Sequence, residues 1–235
     1  MTRTNLVRFV LLALLLPSIA YSKQLKIAVI DTGFDFKYYD QVKLCKKGHR
    51  DFTQTKLQDT VGHGTHVSGL IEKYSDGADY CQYILKFFSV QRKLWTRKSE
   101  DTVETTILAV KEAIRLKVDV INYSAEGGDA TSKEAAVWKQ ALDLGIIVVA
   151  ASGNKSHNLD KRCDAYPACY DKRIIVVGSK SPGNYISDFG NYGKVVDVYE
   201  VGERVESVNG VSDGTSMAAA IQSGRQIKAL SKRRK

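Results

Sequence analysis

Proline is scarce in this chain, three in 235 residues, and no Pro-rich, Gly-rich or other low-complexity tract is visible, which excludes a linker-dominated or fibrous protein. No segment repeats at a fixed period, so a solenoid or propeller is excluded as well. There is no Cys-x-x-Cys pair and no His-Glu-x-x-His, and with them go the common structural and catalytic zinc patterns. A long apolar run is also missing. The longest, residues 9–16 closed by Pro17, falls short of the roughly 18 residues that a spanning helix requires.

That short run has the flanks of an address. Arg3 and Arg8 precede it and the small residues Ala20 and Ser22 follow, the layout of a secretory leader. A buried core helix is the competing reading. Cleavage is expected after Ser22, leaving roughly 210 residues for one domain over 23–235, enough for one substantial core. The mature chain is therefore expected to be secreted or periplasmic, with no stable membrane anchor once the leader is gone.

Four cysteines, Cys45, Cys81, Cys163 and Cys169, suit two disulfides in an exported protein better than reactive thiols. Three pairings are possible. The short spacing favours Cys163 with Cys169 around Tyr166-Pro167, which leaves Cys45 with Cys81; that longer loop, about 35 residues, adds roughly 3 kcal/mol by restricting the unfolded chain. The formal net charge is +9, with much of it in the closing Lys232-Arg233-Arg234-Lys235. Such an end reads as a solvated tail, and without a basic face carrying interleaved aromatics no nucleic-acid partner is expected.

Short β-branched runs at 25–30, 84–90, 118–123, 146–151 and 174–177 alternate with helical periodicity at 103–116 and 135–144. Two more helices are expected to start near His63 and Ser216, each just after glycine. Strands alternating with crossover helices predict an α/β fold, a doubly wound and mainly parallel sheet with helices on both faces. In such sheets the site lies at the carboxyl ends of the strands.

Three segments carry chemistry. In Ala28-Val29-Ile30-Asp31-Thr32-Gly33 an acid ends a buried strand, where it can orient an imidazole through a charge-assisted hydrogen bond; a capping Asp in a turn is the plain alternative. In Gly62-His63-Gly64-Thr65-His66 flanking glycines let substrate approach His63 closely, while His66 reads as a core residue. In Asp213-Gly214-Thr215-Ser216-Met217 a serine stands at the start of a helix whose dipole favours developing negative charge; a simple N-cap is the alternative. Ala151-Ser152-Gly153-Asn154 lies between the last two.

Each segment is weak alone, but their order is specific: together they resemble the subtilisin family of serine peptidases from Lys26 to about Gly224, and subtilisin itself shows the Asp, His, Ser order. The resemblance implies that Ser216 attacks the scissile carbonyl, His63 relays its proton and Asp31 holds the imidazole. It also implies that Asn154 donates to the oxyanion. Ser124, Ala125, Glu126 and Gly127 would pair with an extended substrate, and Ser152-Gly153 would floor the pocket for the residue before the cut. Protein or peptide substrates are implied, with no cofactor.

The chain departs from the family pattern in several places. Glu126 stands where glycine is usual: a carboxylate there favours a basic substrate residue, and a solvent-facing Glu is the competing reading. Only residues 23–30 separate the leader from Asp31, so no long pro-segment is expected. Asp76 and Asp79 are too few oxygens for calcium, and no obligatory metal is expected. Ala220 replaces the proline common after the nucleophile. Two other functions compete: a catalytically silent peptide-binding module on the same fold, and an aspartic peptidase using Asp31, which leaves His63 and Asn154 without roles.

Overall fold

A computed structural model of the chain describes residues 24–89, 99–127 and 129–234. The expected leader, the end of the strand anticipated at 84–90, and Gly128 lie outside the described residues.

Seven strands form one sheet in the order β2-β3-β1-β4-β5-β6-β7, every neighbouring pair parallel. They are β1 (Leu25–Asp31), β2 (Arg50–Asp51), β3 (Tyr80–Lys86), β4 (Val120–Tyr123), β5 (Ile147–Ala151), β6 (Ile175–Lys180) and β7 (Val198–Val201). A small antiparallel hairpin, β8 (Val205–Ser207) with β9 (Gly210–Ser212), stands apart. The helices are α1 (His63–Ser75), α2 (Ser99–Leu116), α3 (Ser132–Asp143) and α4 (Thr215–Arg233).

Alternation along each strand divides the core into two layers. On β1, Ala28 and Ile30 pack with Val110 and Ala113 of α2 and with Val137 and Trp138 of α3. Ile27 and Val29 face the other way, against Val67 and Leu70 of α1 and Met217 and Ala218 of α4. A strand so placed is apolar on both faces, which is why these segments read as continuous runs. Each fully buried Ile or Val contributes about 1.5–3 kcal/mol. After β1 the chain moves out to the edge strand β2, returns to β3 beside β1 and then crosses to β4 on the other side of β1. The reversal opens a crevice at the carboxyl end of β1, and Asp31 sits there.

Both favoured disulfides are present, Cys45 with Cys81 and Cys163 with Cys169. The basic end differs from the expected tail. Lys232 and Arg233 form the last turn of α4, where cations complement the helix dipole, and Arg234 Nη2 donates to Asp119 Oδ1 at 2.6 Å. Strand β3 starts four residues earlier than expected and ends at Lys86. Among the described residues no helix is long and apolar enough to cross a membrane.

Candidate active site

Asp31 is the last residue of β1 and 3% exposed. Its Oδ1 accepts from the Thr32 N–H at 2.7 Å and meets His63 Nδ1 at 2.8 Å. That contact fixes the tautomer of the neutral ring: Nδ1 must carry the proton, because a carboxylate only accepts. Nε2 is then the basic nitrogen. The negative charge of Asp31 holds the His63 pKa above its ordinary value, against the opposing effect of burial.

The start of α1, which presents His63, is held by a residue the sequence reading did not single out. Asp59 is buried and accepts from the N–H groups of Val61, Gly62 and Thr65 and from the hydroxyls of Thr32 and Thr65, at 2.7 to 3.0 Å. An acid that accepts from the N–H groups leading into a helix and from one in its first turn is favoured by the helix dipole. Burial disfavours its charge, but these donors outweigh it and keep the carboxyl below the usual range. Gly64 is required by proximity: a Cβ there would stand 2.4 Å from Gly33 O.

Replacing Asp59 with alanine strands three N–H groups in a buried place, and we expect it to lower stability by about 3 kcal/mol or more, read as a shifted urea midpoint. The folded-state pKa is lowered, so the stability this acid contributes is present above its unfolded value. It is lost as pH falls through the folded one.

Ser216 is the second residue of α4, so it is not the N-cap; Gly214 takes that place at φ 139°. A buried chain of hydrogen bonds positions it. Ser223 Oγ donates to Asn122 Oδ1, Asn122 Nδ2 to Ser124 Oγ, and Ser124 Oγ to Ser216 O, at 2.8 to 3.0 Å. The Ser216 hydroxyl donates to Ser124 O at 2.9 Å. Among the described residues no hydrogen bond joins it to His63 Nε2, a link that commonly tightens only with substrate in place.

Asn154 follows β5. Its Oδ1 accepts from both the backbone N–H and the hydroxyl of Thr215, at 3.0 and 2.9 Å. The Thr215 N–H can only donate, so the amide orientation is determined and Nδ2 points away as a donor. Thr215 Oγ1 also accepts from the Gly153 N–H at 3.2 Å, joining the β5 loop to the serine helix. Thr215 was legible only as the neighbour of Ser216.

His66 is buried, as expected of a core residue, with Nδ1 against Asn209 Oδ1 and Nε2 against Val205 O. Gly127 exchanges both backbone bonds with Tyr166, N–H to O at 2.8 Å and O to N–H at 3.0 Å. Glu126 is partly buried over Gly153, with Lys155 Nζ 3.1 Å from its Oε1. Beside His63 a cleft of about 1030 Å³ runs past Ser124, Ala125 and Glu126 to Val103 and Ile107 of α2. No cluster of three or more metal-ligating side chains occurs among the described residues.

A parallel sheet whose first strand ends on a histidine-bound acid, with a serine at the head of a helix that meets the same carboxyl edge through Ser124 and Asn154, defines a subtilase. The chain belongs to that family of serine peptidases, whose model matches residues 22–235. It is 32% identical over 216 residues to the major intracellular serine protease of Bacillus subtilis, covering 86% of this chain and 67% of that one. It is 31% identical to the subtilisin-like proteinase Mp1 of Magnaporthiopsis poae, covering 83% and 50%. Subtilisin amylosacchariticus of Bacillus subtilis subsp. amylosacchariticus is 29% identical over 88% of this chain and 55% of its own length. The chain thus spans between half and two thirds of these relatives. Among solved structures, a lanthipeptide protease superposes with TM-score 0.73 at 21% identity, covering 89% of this chain and 74% of that one. A cold-adapted subtilisin-like serine proteinase gives 0.71 at 22%, covering 88% and 76%.

Proposed function

We propose that this chain is a serine endopeptidase acting on proteins or peptides outside the cytoplasm, through an acyl-enzyme formed on Ser216. The hydrogen bond from His63 Nδ1 to the buried Asp31 carries the reading, since it leaves Nε2 as the unprotonated nitrogen that can act as a base. Ser216 Oγ needs only a rotation about its own Cα–Cβ bond to leave Ser124 O. It attacks the carbonyl carbon, His63 Nε2 takes the hydroxyl proton, and the C–N bond breaks as that proton passes to the leaving amine. Water, deprotonated by the same nitrogen, then releases the acyl group.

Two donors converge on the developing oxyanion: Asn154 Nδ2 and the Ser216 N–H in the first turn of α4. Asn154→Leu keeps the volume and removes the donor, and we expect kcat to fall about 100- to 1000-fold with KM little changed, the effect of the same loss in subtilisin. Steady-state assay on a chromogenic peptide checks it. The two disulfides support an oxidising location, and the leader at residues 1–22 supplies the export route.

The test is hydrolysis of an unfolded protein by the purified chain. New amino termini blocked by a fluorophosphonate and indifferent to pepstatin support a serine mechanism. Pepstatin sensitivity with an acidic optimum would instead favour the aspartic reading of Asp31. Binding without turnover would favour the silent module.

A further inference from the structure

We propose that Glu126 makes this peptidase select a cationic side chain, arginine or lysine, for the residue immediately before the cut. The inference rests on the catalytic reading above and deepens it. Two segments flank Ser216: Ser124-Ala125-Glu126, continuing from β4, and Ser152-Gly153-Asn154, continuing from β5, and the proposed slot lies between them. Both are tied to the serine helix, Ser124 O by the Ser216 hydroxyl at 2.9 Å and the Gly153 N–H by Thr215 Oγ1 at 3.2 Å.

The Glu126 carboxylate reaches from the first segment onto the second. A Cβ built on Gly153 would stand 1.8 Å from Glu126 Oε2, so the carboxylate rests directly on the glycine backbone. Its protein partners hold it loosely. Asn191 is committed elsewhere, with Nδ2 donating to Ser152 O at 2.7 Å and Oδ1 accepting from the N–H groups of Lys155 and His157. Its reach to Glu126 Oε2 is 3.5 Å. That leaves Lys155 Nζ at 3.1 Å from Oε1, on a side chain 47% exposed against 20% for Glu126. A lysine so exposed contributes little to the pair and can turn into solvent.

An entering guanidinium replaces it with two parallel charge-assisted hydrogen bonds, and an ammonium with one. An apolar side chain in the same slot strips water from the carboxylate and returns nothing. Glu126 also lines the cleft beside His63. Glu134 is not a second seat, because it is 5% exposed and already accepts from Trp138 Nε1 and the Tyr170 hydroxyl.

The test compares kcat/KM on peptides differing only at the residue before the cut: Arg, Lys, Gln, Leu and Ala. The native enzyme is expected to favour Arg and Lys over Gln and Leu by about 10- to 100-fold. In Glu126→Gln that ratio collapses toward one. In Lys155→Met, where the competing cation is gone, it rises, and this second variant guards against misfolding of the Glu126→Gln chain. A native preference for Leu or Ala, or a cationic preference that survives Glu126→Gln, would overturn the proposal. If neutral peptides are cut well with no cationic preference, Glu126 loses its role while the serine mechanism stands. If no peptide is cut and no fluorophosphonate attaches, both fall together.

Discussion

Ser216→Ala is expected to lower kcat about 10⁶-fold while leaving the fold intact, the order of loss that removing the nucleophile causes in subtilisin. The size follows from what the hydroxyl does: without it no acyl-enzyme forms, and only transition-state binding by the oxyanion donors remains. Among the described residues the side chain makes one hydrogen bond, to Ser124 O, so alanine leaves one carbonyl lone pair unfilled and the urea midpoint should move little. KM should stay close to the native value, since the walls of the slot are untouched. A variant with both kcat and stability reduced would mean that Ser216 is structural, the N-cap alternative that Gly214 displaces.

The second large effect belongs to Asp31→Asn, for which a loss of about 10⁴-fold in kcat is expected. Asn presents either an amide nitrogen or an oxygen to His63 Nδ1; the nitrogen forces the opposite tautomer, with the proton on Nε2, which then cannot act as the base. The pH profile gives an independent reading. His63 works as a neutral base, and Asp31 holds its pKa above the ordinary 6.5, so kcat/KM of the native enzyme should rise through a midpoint above pH 6.5. In the Asp31→Asn variant the raising charge is gone and burial remains, so the acid limb should move to lower pH. An unmoved limb would show that Asp31 does not set the charge of His63.

Much of this site was legible from local pattern because the chemistry is concentrated at element boundaries. Asp31 ends an apolar run, and His63 and Ser216 each start a helix beside glycine, positions that leave a signature a few residues long. The buried strands were equally plain, since both faces of β1, β4 and β5 are covered. What escaped was whatever depends on distant partners. Asp59 looks like any loop acid until its carboxylate meets Thr32, Gly62 and Thr65. Thr215 and Asn191 are ordinary polar residues whose roles come from β5 and its loop. Strand β7 and the β8–β9 hairpin are short and half exposed, so they lack the apolar run that marks the central strands. The closing basic residues resemble a tail because four adjacent cations carry no apolar period, whereas their helical state is inherited from the buried turns of α4 that precede them.

Glu126 shows how structure sharpens an ambiguous residue. By sequence a solvent-facing acid is at least as good a reading as a specificity element, and its position on Gly153 is what the proposed cationic preference is argued from.

The central claim is that His63, oriented by Asp31, makes Ser216 a nucleophile. Intact-mass and peptide-mapping measurements after brief exposure of the native chain to a fluorophosphonate address it most directly. One phosphonyl adduct on Ser216 is predicted, slowed by orders of magnitude in His63→Ala. No adduct, or an adduct on another residue, would contradict the account.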